Sequence, residues 1–130
     1  MWVEFSCSLI YPKVLEILSK VTIISARDNY EKFFPNQPKK WKLQTFKDLT
    51  KRYNRNIVTN IICIGDSEGE AEAGVQMSSL FRESYLKIIK FREDPKPEHL
   101  SKQLSLVESQ FFTLHSAVRN ISIHVENKKK

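Results

Sequence analysis

A chain of 130 residues is one domain's worth of polypeptide, and with 41% apolar, 11% aromatic and 28% charged residues it has a globular composition that excludes wholesale disorder. Three glycines and five prolines exclude collagen-like and low-complexity classes, and two cysteines, Cys7 and Cys63, are too few for a disulfide framework, so reduced thiols in a cytoplasmic setting are expected. The net charge of +6 belongs to the first half: residues 1–65 hold eleven basic and five acidic side chains, and residues 66–130 hold ten of each.

The chain alternates between helical and strand periods. Residues 9–20 carry Leu9, Ile10, Val14, Leu15, Ile17 and Leu18 as a helical stripe, with Pro12 in its first turn. Val21-Thr22-Ile23-Ile24, ending at Ser25, reads as a short buried parallel strand. Residues 27–39 are loop-like, pinned by Tyr30, Phe33 and Phe34. Trp41, Leu43, Phe46, Leu49 and Tyr53 then recur at helical spacing with lysines opposite. Residues 57–64 form the strongest strand, terminated by Gly65-Asp66-Ser67. A helix over 70–81, a strand over 85–91 and a long amphipathic helix over 98–118 follow, with Pro95 and Pro97 as the interruption. Ile121, Ile123 and Val125 alternate as an edge strand, and residues 128–130 are a basic, disordered tail on a single domain spanning 1–127.

This alternation predicts an α/β fold around a mostly parallel sheet with right-handed crossovers. In such sheets the working residues gather outside the carboxyl ends of the strands, where Ser25 and Asp66 both stand. No run approaches the roughly 18–20 apolar residues that span a bilayer. Residues 1–20 lack the basic start of a secretory signal. His99, His115 and His124 have no zinc-ligand spacing with each other or with the cysteines.

Three features form one ordered set: the strand end at Ser25, the helix start at Lys42, and the turn Gly65-Asp66-Ser67-Glu68-Gly69-Glu70. Taken singly, each has a plain explanation. Ser25 is ordinary loop polarity, Lys42 belongs to a solvated face with Lys39, Lys40 and Lys47, and Asp66 or Ser67 caps the next helix. Taken together, they resemble motifs II, III and IV of the haloacid dehalogenase-like (HAD-like) hydrolases. The runs Trp2-Val3-Glu4-Phe5-Ser6-Cys7, Ile23-Ile24-Ser25-Ala26-Arg27, Phe34-Pro35, Trp41-Lys42 and Ile64-Gly65-Asp66-Ser67 are similar to a protist and algal group of that superfamily.

The resemblance implies a Rossmannoid three-layer sandwich. It makes Ser25 and Lys42 the phosphoryl-binding pair, counts Ser25, Lys42 and Asp66 as catalytic residues, and gives Mg²⁺ to Asp66 and Glu70. The substrate would be a phosphorylated small molecule or a phosphoprotein. Strand-end hydroxyls, helix-start cations and hard carboxylate oxygens suit those tasks. The nucleophile is missing, however: the chain contains no Asp-x-Asp and no aspartate before Asp28. By the resemblance, the nucleophile strand would precede residue 1 and lie between the strands of Ser25 and Asp66, so the sheet lacks its first motif. A truncated HAD-like protein without turnover is expected. The competing expectation is a non-catalytic binding or scaffold domain whose basic helix, residues 39–55, contacts an anionic partner. Its aromatics fall on the apolar face and not among the lysines, so specific nucleic-acid binding is not expected.

Overall fold

A computed structural model describes residues 2–125. The expected tail at 128–130, and residues 126 and 127 before it, lie outside the described residues. The chain begins with helix α1 (Trp2–Ile10), a 3₁₀ turn (Pro12–Val14) and the short helices α2 (Leu15–Leu18) and α3 (Ala26–Tyr30). There follow α4 (Pro38–Thr50), strand β1 (Thr59–Gly65), α5 (Glu68–Ser79), β2 (Ser84–Lys90), α6 (Pro97–Ser116) and β3 (Ile121–His124).

The architecture is α/β, with an open three-stranded sheet in the order β1-β2-β3, parallel throughout. Ile62, Lys87 and Ile121 stand side by side across the sheet, as do Ile64, Ile89 and Ile123. This face carries the core, where Val107 and Leu114 of α6 pack on Ile89 and Phe91. The opposite face presents Cys63 and Leu86 to α5, which approaches so closely that a Cβ on Gly74 would lie 3.2 Å from the Cys63 side chain.

Helices therefore cover both faces. Since β1, β2 and β3 step across the sheet in one direction, crossovers on opposite faces have opposite hands. The expected right-handedness holds for only one of them. The reason lies in the apolar pattern: α5 already covers the Cys63 face, so α6 goes where Ile62, Ile89 and Phe91 still need cover.

On the core face Lys87 is fully buried. Its Nζ donates to Asn60 Oδ1 at 2.5 Å, and Asn60 Nδ2 donates to the His115 carbonyl at 2.8 Å. Asn60 thus links a buried cation to the C-terminal end of α6, where helix carbonyls lack intrahelical donors.

Two expectations are corrected at the N-terminal end. Residues 9–20 are not one helix, because Tyr11 leaves helical geometry (φ −134°, ψ 63°) and Pro12 opens a new turn. Proline has no N–H to give to the preceding turn, so α1 stops at Ile10. Residues 21–24 do not form the expected strand; none of them joins the sheet. Their β-branched side chains favour extended backbone, but no strand pairs with them, and Val21 is 54% exposed. The loop expected over 27–39 is shortened at both ends, by α4 from Pro38 and by α3, which begins where the Ser25 hydroxyl accepts the Asp28 N–H at 3.1 Å.

Candidate functional site

The site lies where the carboxyl end of β1 turns into α5. Pro38 starts α4 at a position where a missing N–H costs nothing, and this sets Lys42 in the early part of that helix. Here α4 crosses the start of α5 closely: a Cβ on Gly69 would sit 3.4 Å from Lys42 Cδ and 3.6 Å from Lys39 Cγ. Lys42 Nζ donates to Ser67 Oγ at 3.1 Å and forms an ion pair with Glu70 Oε1.

Glu70 is engaged at both oxygens. Its Oε2 accepts the Ser67 backbone N–H at 3.0 Å and the Ser67 hydroxyl, as the carboxylate of a capping box does. Burial alone would raise the Glu70 pKa. The hydrogen bonds from Lys42 and Ser67 outweigh it and hold the carboxyl below its usual range. Gly65 is required beneath it, because a Cβ there would lie 2.6 Å from Glu70 Cγ. The Cys63 thiol donates to the Glu70 carbonyl at 3.3 Å, and burial, followed by the Glu70 charge, pushes its pKa up to about 11.

Asp66 is half-buried and makes no hydrogen bond or ion pair among the described residues. It lines a cleft of about 460 Å³ beyond the strand ends, with Ile64, Gly65, Phe91, Asp94, Pro95 and Leu100. Asp94, in left-handed backbone at φ 45°, was not singled out by the sequence, although it follows a strand end as Asp66 does. Ser67 was singled out only as a cap, although the Ser-x-x-Glu spacing of a capping box is plain in the sequence.

Of the four residues expected at the site, Lys42 and Glu70 meet directly and Asp66 adjoins them in the turn. Ser25 is elsewhere occupied: its hydroxyl caps α3, and no hydrogen bond joins it to Lys42, Ser67, Glu70 or Asp66. Mg²⁺ requires free carboxylate oxygens in octahedral geometry. Glu70 has none to spare while Lys42 and Ser67 hold it, and no group of three His, Cys, Asp or Glu side chains suited to a metal occurs among the described residues. Of the two expected ligands, only Asp66 has free oxygens among the described residues as arranged.

The basic helix is partly neutralised within the molecule. Lys39 pairs with Glu72 at 3.2 Å, Lys42 with Glu70, and Lys51 with Asp48 at 3.5 Å. The acidic start of α5 is thus the internal counterpart of the lysines of α4. No helix among the described residues is long and apolar enough to cross a membrane. No family model, curated protein or solved structure matches this chain.

Proposed function

We propose that this chain is a HAD-like domain related to Mg²⁺-dependent phosphohydrolases that keeps the phosphoryl-binding lysine but turns over no substrate as it stands. The observation that carries this reading is the meeting of Lys42 with the Ser67–Glu70 turn at the carboxyl end of β1. A helix-borne cation and a strand-end acidic turn, 25 residues or more apart in sequence, converge on one point of the sheet. That is where an α/β sheet offers its ligand crevice.

The rest of the chemistry is incomplete. Covalent phosphoryl transfer by the HAD-like route uses an aspartate nucleophile, and the sequence holds no Asp-x-Asp to supply one. Lys42 can neutralise an incoming phosphoryl oxygen only when Glu70 gives it up. The reading also accounts for two loose ends of the fold. Val21-Thr22-Ile23-Ile24 has strand composition but no partner, and the outer edge of β1 has none either. One further strand between them would satisfy both. The natural ligand on this reading is a phosphorylated small molecule or phosphoprotein.

The test is a calorimetric titration with inorganic phosphate, together with hydrolysis of p-nitrophenyl phosphate. The wild-type chain is expected to bind phosphate weakly and release no nitrophenol. Glu70→Gln, which frees Lys42 while keeping a capping-box side chain, is expected to bind phosphate more tightly, and Lys42→Ala in that background to lose the gain. Phosphate binding indifferent to both substitutions refutes the reading.

A further inference from the structure

β1 stands at the edge of the sheet but has the composition of an inner strand. Thr59–Gly65 contains no charged residue and no proline, and with Ile57 and Val58 before it the segment is largely β-branched. Ile57, Val58 and Ile64 are 59%, 54% and 41% exposed. Sheets that end at an exposed strand usually blunt it with charges, prolines or bulges, and none of these is present.

The ladder fixes which backbone groups are left over. Thr59 N donates to the Glu83 carbonyl, and the Gly65 carbonyl accepts from Phe91 N. In a parallel pair this parity directs Thr59, Ile61, Cys63 and Gly65 toward β2. The N–H and C=O groups of Asn60, Ile62 and Ile64 therefore point away from the sheet, and no backbone hydrogen bond reaches them among the described residues.

Apolar surface flanks this edge on both faces. On one, an open groove of about 430 Å³ runs along β1 between Phe46, Leu49 and Tyr53 on the α4 side and Met77 and Phe81 on the α5 side. On the other, the C-terminal end of α6 reaches β1 through the bond from Asn60 to the His115 carbonyl. There Phe111 stacks on His115 and stays 44% exposed.

We propose that β1 pairs antiparallel with β1 of a second copy, about a twofold axis through Ile62. The three outward-facing residues are spaced evenly about Ile62. The axis therefore sets Ile62 against its own copy and Asn60 against Ile64, and each pair exchanges both backbone bonds. Any strand's backbone could bond to this edge; a second copy also brings a matching uncharged strand and a matching apolar wall beside it. No charge on the strand meets its like, despite a net charge of +6. The axis also keeps the helices of both copies on the same two faces, so the Phe46–Tyr53 walls come together. Those walls are needed, because a standard interface hides about 800 Å² per partner and one short strand does not reach that. The pairing rests on the free edge of β1 in this chain, the same edge that the HAD-like reading would give to a further strand.

The test is sedimentation velocity of the full 130-residue chain at low and high micromolar concentration, with hydrogen exchange read at individual amides. A dimer at high concentration is expected, with the Ile62 and Ile64 amides protected as it forms. Ile64→Pro removes an outward N–H and is expected to give a folded monomer. Ser122→Pro, on the outer side of β3, is expected to leave the dimer intact. A wild-type chain that stays monomeric overturns the proposal. So does a dimer that leaves the Ile62 and Ile64 amides exchanging freely, a readout that needs no variant to fold. A dimer lost through Ser122→Pro and kept in Ile64→Pro overturns it too.

Discussion

Replacing Lys42 by alanine tests whether the ion pair at the strand end has structural weight. The Lys42 and Glu70 side chains are 32% and 20% exposed, against 64% and 60% for Lys39 and Glu72. An exposed pair contributes about 0–1 kcal/mol, and a hydrogen bond to a charged group about 1.5–3 kcal/mol. With its residual solvent contact discounted, the inner pair belongs in the lower part of the second range, and Lys42→Ala should cost about 2 kcal/mol. In a domain of this size that lowers Tm by about 6–8 °C. Lys39→Ala should cost no more than about 0.5 kcal/mol.

The cost should also depend on pH. Glu70 has a lowered pKa in the folded chain, so its contribution is complete above the unfolded carboxylate value of about 4.3 and is lost as the pH falls through the folded value. Thermal melts of wild type, Lys42→Ala, Glu70→Gln and the double variant, at neutral pH and in acid, read the coupling directly. Equal melting temperatures for Lys42→Ala and Lys39→Ala, or a coupling unchanged in acid, would refute the reasoning.

Gly65→Ala should destabilise by about 1–3 kcal/mol in denaturant melts, because the added methyl can be housed only by moving the Glu70 side chain off its partners. Combined with Glu70→Ala, the same substitution should lose only part of its cost, because the Cβ at position 70 would still lie 2.7 Å from the added methyl. Mg²⁺ added to the purified chain should leave Tm unchanged; a rise abolished by Asp66→Asn and by Glu70→Gln alike would show that Glu70 exchanges Lys42 for the metal. Iodoacetamide at pH 8 should modify Cys63 only after unfolding, since its thiol is buried with a pKa near 11. Mass spectrometry of the native chain would expose an error.

The strand-to-helix run from β1 to β3 was legible in sequence because each of its signals is local. Strand-rich runs at 57–64 and 85–91, each broken by only two polar residues, are followed by glycine and proline punctuation, and the structure sets strands at Thr59–Gly65 and Ser84–Lys90. The choice of Lys42 among four neighbouring lysines rested on its place beside Trp41 at an expected helix start, whereas the helix starts at Pro38 and Lys42 is its fifth residue. The tertiary fold then brings it, rather than Lys40 or Lys47, to Glu70. What sequence alone missed about Glu70 was its partner. Read as a metal ligand, it is a carboxylate awaiting a cation, and in the folded chain a lysine from another helix is that cation.

Val21-Thr22-Ile23-Ile24 fails for a deeper reason. Helical hydrogen bonds close within four residues, so a helix can be argued from its own sequence; a strand's bonds close on another segment. Strand propensity is therefore half of a statement, and the other half is an available edge. Residues 61–64 and 21–24 carry nearly the same composition, Ile-Ile-Cys-Ile against Val-Thr-Ile-Ile. The first becomes β1 because α5 returns the chain to lay β2 beside it. The second is followed by the short α3 and then α4, and neither returns a strand to its side. Ser25 follows from the same absence. Without a strand to end, its hydroxyl turns to the nearest unpaired donor, the Asp28 N–H. A partner strand laid against 21–24 would therefore alter the surroundings of Ser25 as well as the edge of the sheet, and the two changes should be seen together or not at all.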